Sequence, residues 1–545
     1  RRELINKQSD NGETPLYWAC RHGRDDMVKY LLSVGADHKI CTKGGWSAAH
    51  VTSEYGHLEA LRIVIEYLPD DARRELINKQ SDNGETPLYW ACRHGRDDMV
   101  KYLLSVGADH NICKKNGWSV VHVASEHGHL EAPRIVVESL PDDASRREII
   151  NKQSPSGITP LYFACRHGRD DIVKYLLSVG ADYNICTKGG WNVAHVICEQ
   201  GNLGILKLII ESLPDGKSRS EFINKKSDSG ITPLFLACQH GKKDIAKYLL
   251  SIGADYNICT RGGWSITHVA CEKGNLEILK LIIESLPDDS SRNEFVNKQS
   301  DNGETPLFLA CKHDKKDMAE YLLSIGADCF IQDDFGYGPM HVVARNGSLE
   351  VLKALLGIST GNTMQPRLVN GLGAGDATPL WIACQYGHLN VVQFLLSCRE
   401  VSLHPLISLN EELVTLASEY NIEVEKRMKE KLQDESGLIQ YREKTQISLL
   451  DIASIMGHTE ITSALNVYMN GNPDKGRLQQ QKTYWDLQCY KNFSDMVYSS
   501  LVHKTFQAAY EKGQKESQKE RREEAGYGEG AIVVHSPAKP NSSLM

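Results

Sequence analysis

Apolar and polar residues follow a helical rhythm along most of this chain. In Asp25-Asp26-Met27-Val28-Lys29-Tyr30-Leu31-Leu32, apolar side chains fall at i, i+1, i+4 and i+5, one stripe on a helix. Asp opens the stretch and Lys follows, the order the helix dipole favours. Gly35 closes it. Upstream, Thr14-Pro15-Leu16 predicts a shorter helix: a hydroxyl at the cap, then Pro at the first helical position, where its missing N–H costs nothing. Gly23 stops that helix in a left-handed turn. Neither helix can bury its stripe alone, so stacked neighbours must supply the core.

The pattern recurs. Arg1-Arg2-Glu3-Leu4-Ile5-Asn6-Lys7-Gln8 reappears letter for letter from Arg73, with near copies from Arg146, Arg219 and Arg292. Its Asn falls at Asn6, Asn78, Asn151, Asn224, Asn297 and Asn370, spacings of 72 and then 73. Each unit divides in two. A leading half carries Thr-Pro-Leu, at Thr14, Thr86, Thr159, Thr232, Thr305 and Thr378. A following half carries a Gly-aromatic step and a His: Trp46/His50, Trp118/His122, Trp191/His195, Trp264/His268 and Tyr337/His341. Thr14 and Ser47 stand 33 residues apart, and the return to the next Thr takes 39 or 40. The sub-period is 33, with about seven residues added after every second half.

These residues resemble the ankyrin repeat. Gly12-Glu13-Thr14-Pro15-Leu16 leads into Ala19-Cys20-Arg21-His22-Gly23, then an apolar helix, then Gly35-Ala36-Asp37. The resemblance covers residues 1–400 and resumes at Ser448-Leu449-Leu450-Asp451-Ile452-Ala453 before Gly457-His458. It implies an all-α fold, an α-solenoid of about twelve repeats, with a C-terminal helical or disordered tail. The domain reading is an array over 1–400, a charged helical insertion over 401–444 and a degenerate last repeat over 445–470. An amphipathic helix, serving as cap or partner segment, follows over 471–512, then a charged, disordered tail over 513–545. Phe493, Met496, Val497, Leu501 and Phe506 mark the amphipathic helix. The added segment, Leu68-Pro69-Asp70-Asp71 onward, predicts an extra helical turn in every unit, or else only a longer surface connection. Arg1 starts inside a unit, so a fragment of a longer chain is expected.

Composition changes little. The chain has 545 residues, 41% hydrophobic and 24% charged, with net charge −8. Wholesale disorder is excluded, and no basic excess points to nucleic acid. No run of 18 apolar residues occurs, so no membrane span is expected. Fifteen scattered Cys fit reduced thiols in an intracellular, cytoplasmic protein.

Repeated residues invite a search for chemistry, and the search finds none. Cys20, Cys92, Cys165, Cys238, Cys311 and Cys384 take the place of a small packed Ala. Cys41, Cys113, Cys186 and Cys259 lie on the hairpin, where oxidation is conceivable, yet no Cys-x-x-Cys occurs. By resemblance, His50 and its equivalents hydrogen-bond neighbouring backbone. Gly371-Leu372-Gly373-Ala374-Gly375 lacks the strand and Lys of a phosphate loop. The expectation is no catalysis, no cofactor and no metal.

The resemblance implies a protein-binding groove built from hairpin tips and the inner ends of the first helices. In leading halves the contact residues are Glu13, Arg21 and His22, then Glu85, Arg93 and His94, then Arg166 and His167, with Asp10, Asn11, Asp82 and Asn83 beside them. In following halves they are Lys43, Trp46, Glu54 and Tyr55, then Lys115, Trp118, Glu126 and His127, then Lys188, Trp191, Arg261, Trp264 and Tyr337. Acidic tips therefore alternate with basic tips that carry an aromatic, either a ladder of contact anchors or a stiffener of the adjacent hairpin. The functional expectation is a scaffold for partner proteins. The alternative is the targeting or substrate-recognition portion of a longer enzyme or ion channel. A structural or elastic tether is a further rival. Ser543-Leu544-Met545 resembles a C-terminal ligand of a PDZ-type domain.

Overall fold

In the computed structural model, the described residues are 2–358, 365–373, 377–398, 401, 407–408, 446–447 and 449–471. The expected insertion helices near 410–429, the amphipathic helix of 482–512, the charged tail and the C-terminal ligand lie outside them. The chain divides into two compact units, one ending at Lys188 and one beginning at Gly189. Among the described residues both are helical, apart from a pair of two-residue antiparallel strands, Ile407–Ser408 and Gln446–Ile447, in the second.

Each 73-residue module holds five helices. In the first module these are Pro15–Arg21 and Asp25–Ser33, then Ala48–Tyr55 and Leu58–Tyr67, then Asp70–Ile77. The first of each leading half begins as its sequence requires. Thr14 is the N-cap, its hydroxyl accepts from the Tyr17 N–H, and Pro15 follows. The same cap recurs at Thr86, Thr159, Thr232, Thr305 and Thr378. Each contributes about 1 kcal/mol to its helix. Gly23 turns the chain at φ 59, and Asp314 holds the corresponding left-handed place at φ 54.

The added segment is a full eight-residue helix, longer than the single turn expected. It recurs at Asp143–Ile150, Gly216–Ile223 and Asp289–Val296. Asp142, Asp215 and Asp288 cap three of the four by accepting from Ser145, Ser218 and Ser291. Two apolar residues at its end are buried each time: Leu76/Ile77, Ile149/Ile150, Phe222/Ile223 and Phe295/Val296. The reading of a mere surface connection therefore fails, because burial makes this helix part of the core. Arg73 turns back so that Nε donates to the Ile65 carbonyl at 2.8 Å, satisfying the end of the preceding helix. The Asn after each added helix is a bolt. The Asn78 side-chain carbonyl accepts from the Asp109 N–H at 2.7 Å, and Asn6, Asn151, Asn224 and Asn297 make the equivalent bond.

Stacking then closes the core. Val28, Val100, Val173, Ala246 and Ala319 are fully buried on the second helices. The helix-one cysteines are buried too, and burial pushes the Cys20 thiol up to about 12. All cysteines among the described residues are free thiols.

Candidate functional site

The expected groove is built from three rows. Hairpin tips form the first, and backbone bonds couple them. Lys43 N–H donates to the Asn11 carbonyl at 2.9 Å, Asp82 to Gly44 at 3.0 Å, and Lys115 to Asn83 at 2.9 Å. In the second unit Asp228 donates to Gly189, Arg261 to Ser229 and Asp301 to Gly262. Pro155 occupies the place of Asp82 in its module and has no N–H to give. Asp10, Lys43, Asp82, Lys115 and Lys188 are exposed, as are Asp228, Arg261 and Asp301.

Aromatic side chains form the second row, the floor. Trp46 lies 4.5 Å from Trp90, centroid to centroid, and Trp118 lies 4.4 Å from Phe163. Trp118 is buried, while Trp46, Trp191, Trp264 and Tyr337 are half-buried. Trp46 and Trp118 thus stiffen the junctions between repeats, while Trp191, Trp264 and Tyr337 lie against His195, His268 and His341 of their own repeats. The sequence reading missed the other half of this floor. Trp18, Trp90 and Phe163 recur three residues after the Pro, and that register was the available signal.

The inner helix ends form the third row. The carboxylate of Glu54 faces Arg21 and Arg93, and that of Glu126 faces Arg93, Lys114, Arg166 and Arg169. Burial still holds both carboxyls above their ordinary range. His22 stacks on Trp18 at 5.6 Å, His94 on Trp90 at 5.7 Å and His167 on Phe163 at 6.3 Å. Arg21 and Arg93 lie over the same tryptophans at 5.0 and 4.9 Å. Burial, with the nearby Arg93 and Arg96 cations, pushes His94 down to about 4. His127 Nδ1 donates to the Val123 carbonyl at 3.0 Å, which holds the ring in place. Tyr55 is exposed and stacks on His57.

Several expected contact residues are engaged within the protein. Glu13 pairs with Arg21 at 3.9 Å, and Glu304, which holds the place of Glu13 in a later module, pairs with Lys312 at 2.8 Å. Glu85 is buried at 3% exposure and pairs with Lys114 at 3.1 Å. Glu85 and Trp118 are therefore covered by the protein itself, and little of either faces solvent.

The following-half histidines join repeats. The Ser47 N–H donates to His50 Nδ1 at 3.1 Å, which leaves Nε2 protonated to donate to the Glu85 carbonyl at 2.9 Å. His122, His195, His268 and His341 repeat this bridge to Ile158, Ile231, Glu304 and Gly371. Burial pushes all five down to about 4, so the rings are neutral near pH 7.

The hairpin thiol of Cys41 is not activated. Cys41 donates to the Lys39 carbonyl at 3.4 Å, and burial raises its pKa. Among the described residues no His, Cys, Asp and Glu cluster could hold a metal ion. No helix among them is long and apolar enough to cross a membrane.

Helix pairs stacked through hairpin tips, with a recessed aromatic floor, define an α-helical repeat protein of the protein-interaction class. Its family is shown directly. A family model for ankyrin repeats in sets of three matches residues 34–114, 104–187, 179–260, 252–333 and 325–405, and a single-repeat model matches 11–43. The chain belongs to the ankyrin-repeat family. It is 26% identical over 428 residues to the human transient receptor potential cation channel subfamily A member 1, covering 72% of this chain and 37% of the channel. It is 32% identical over 159 residues to the target of rapamycin complex 2 subunit AVO2 of Saccharomyces cerevisiae, covering 29% of this chain and 35% of that protein. It is 25% identical over 354 residues to the E3 ubiquitin-protein ligase KEG of Arabidopsis thaliana, covering 63% of this chain and 18% of the ligase. The chain spans about a third of the length of the first two relatives.

Proposed function

We propose that this protein is a scaffold that holds partner proteins against the face formed by its hairpin tips and inner helix ends, without catalysis. The observation that supports it most is the tip row. It is exposed, charged and tied together by backbone bonds, so recognition needs little reorganisation. Lys43, Lys115, Lys188 and Arg261 carry the surface a partner meets first. Arg21, Arg93, Arg166, His22, His94, His127 and His167 lie deeper. The edges of Trp46, Trp191, Trp264 and Tyr337 line the floor.

The test is affinity capture with the full chain, compared with a variant carrying Lys43→Glu, Lys115→Glu and Lys188→Glu. These side chains are exposed, so the fold should survive, as a thermal melt would verify. Loss of most captured protein is expected. Capture unchanged in identity and amount contradicts the reading. Tryptophan substitutions serve less well, because Trp46 and Trp118 also hold the junctions.

A second reading draws on the matches to a cation channel and to a ubiquitin ligase. In it the array is the targeting or substrate-recognition portion of a longer protein. Sequencing the full transcript decides it: an open reading frame without a catalytic or membrane domain contradicts it.

A further inference from the structure

The tip row and the helix-end row both alternate in sign, and they differ in one respect. Along the helix ends of the first unit, Arg21, Glu54, Arg93, Glu126 and Arg166 follow one another, and each Glu lies among basic side chains of the repeats on either side. That row compensates itself. Along the tips, Asp10, Lys43, Asp82 and Lys115 are exposed, and none makes an ion pair among the described residues. Their backbones are joined at each step, so the order of charges is held fixed. The tips carry an uncompensated alternating pattern, −, +, −, +. It breaks at Pro155, where the acidic residue is missing. In the second unit Asp228, Arg261 and Asp301 show the same alternation over three tips.

We propose that this row binds an extended polypeptide segment whose charged residues alternate in sign at every third position. The inference rests on the groove reading above and names the chemistry of the partner. Stacked helix layers stand about 10 Å apart. An extended chain advances about 3.3 Å per residue. One tip-to-tip step therefore spans about three residues, and four tips span about ten. A uniformly acidic chain, a nucleic acid included, meets repulsion at Asp10 and Asp82. A uniformly basic chain meets it at Lys43 and Lys115. Juxtaposed like charges reject both.

The experiment uses the full chain and two labelled synthetic peptides of equal composition and zero net charge. One reads Lys-x-x-Glu-x-x-Lys-x-x-Glu, the other Lys-x-x-Lys-x-x-Glu-x-x-Glu, with Ser and Gly between. Fluorescence anisotropy at about 50 mM salt should show the alternating peptide binding about tenfold tighter, with the preference collapsing near 0.5 M salt as screening sets in. The Lys43→Glu, Lys115→Glu variant should then prefer an all-lysine peptide of the same spacing, a gain that misfolding cannot imitate. Equal binding of the two peptides, binding of neither, or an unaltered preference in the variant overturns the proposal. If the peptides fail while the charge-swapped protein still loses its captured partners, the groove reading stands and only the charge register falls. If capture is also unaffected, both fall.

Discussion

Residues 1–38 and 73–110 have the same sequence and different surroundings. Leu4 is 73% exposed and Leu76 is 5%. Met27 is 51% exposed and Met99 is 1%; Trp18 is 40% exposed and Trp90 is 8%. The repeat over residues 39–72 makes the difference. It sets Trp46 against Trp90, gives Glu85 its bond from His50, and lays Arg62 over Tyr102 at 4.9 Å. Among the described residues, no repeat packs on that side of the copy at 1–38. The local sequence specifies helices, caps and turns in both copies. Burial comes from the neighbour, as expected of a quasi-one-dimensional stack.

Acid should break this comparison most strongly. His50 has a folded pKa of about 4, below its ordinary 6.5, so the unfolded chain takes up the proton first. Its contribution is complete above pH 6.5 and is lost as pH falls toward 4, by about 1.4 kcal/mol per pH unit. At pH 5 the junction should be weaker by about 2 kcal/mol. The other four bridging histidines obey the same sign. Thermal melts from pH 8 to pH 4.5 should show a steep fall in Tm, and a flat profile would remove the histidine bridges from the account. His50→Asn should lessen the fall at this junction.

Substitutions at paired positions come next. Trp90→Ala should cost about 3–5 kcal/mol, whereas Trp18→Ala should cost about 1. Met99→Ala should cost about 2–3 kcal/mol and Met27→Ala under about 0.5. Urea unfolding of the four variants checks both pairs, and equal effects within a pair would deny that the neighbour confers burial. The smallest expected effect lies at the missing link in the tip row. Pro155→Asp restores an N–H facing the preceding hairpin and should stabilise that junction by about 0.5–1 kcal/mol. No change in the urea midpoint would show that the tip bonds add nothing there.

Much of this is legible in the amino-acid sequence. The Thr-Pro caps, the glycine stops and the amphipathic second helices are local instructions, and the 33-residue sub-period placed them in register. The alternation of acidic and basic tips was legible for the same reason. Three things depended on packing across repeats. The added segment reads as either a helical turn or a surface connection until Leu76 and Ile77 are seen inside. Glu85 looks like a tip contact until Lys114 covers it. Trp90 and Phe163 look like ordinary core until they meet Trp46 and Trp118 on the groove floor. Contacts between modules cannot be assigned from one module's sequence, and near-identical copies hide which residues have neighbours.

The most direct measurement of neighbour-conferred stability is hydrogen exchange read by mass spectrometry on the full chain. A peptic peptide with the sequence of residues 16–27 arises equally from residues 88–99. The account predicts two isotope envelopes of equal area that separate with time, the copy at 16–27 exchanging faster. A single envelope throughout would mean that two identical sequences share one stability regardless of neighbours, and would contradict it.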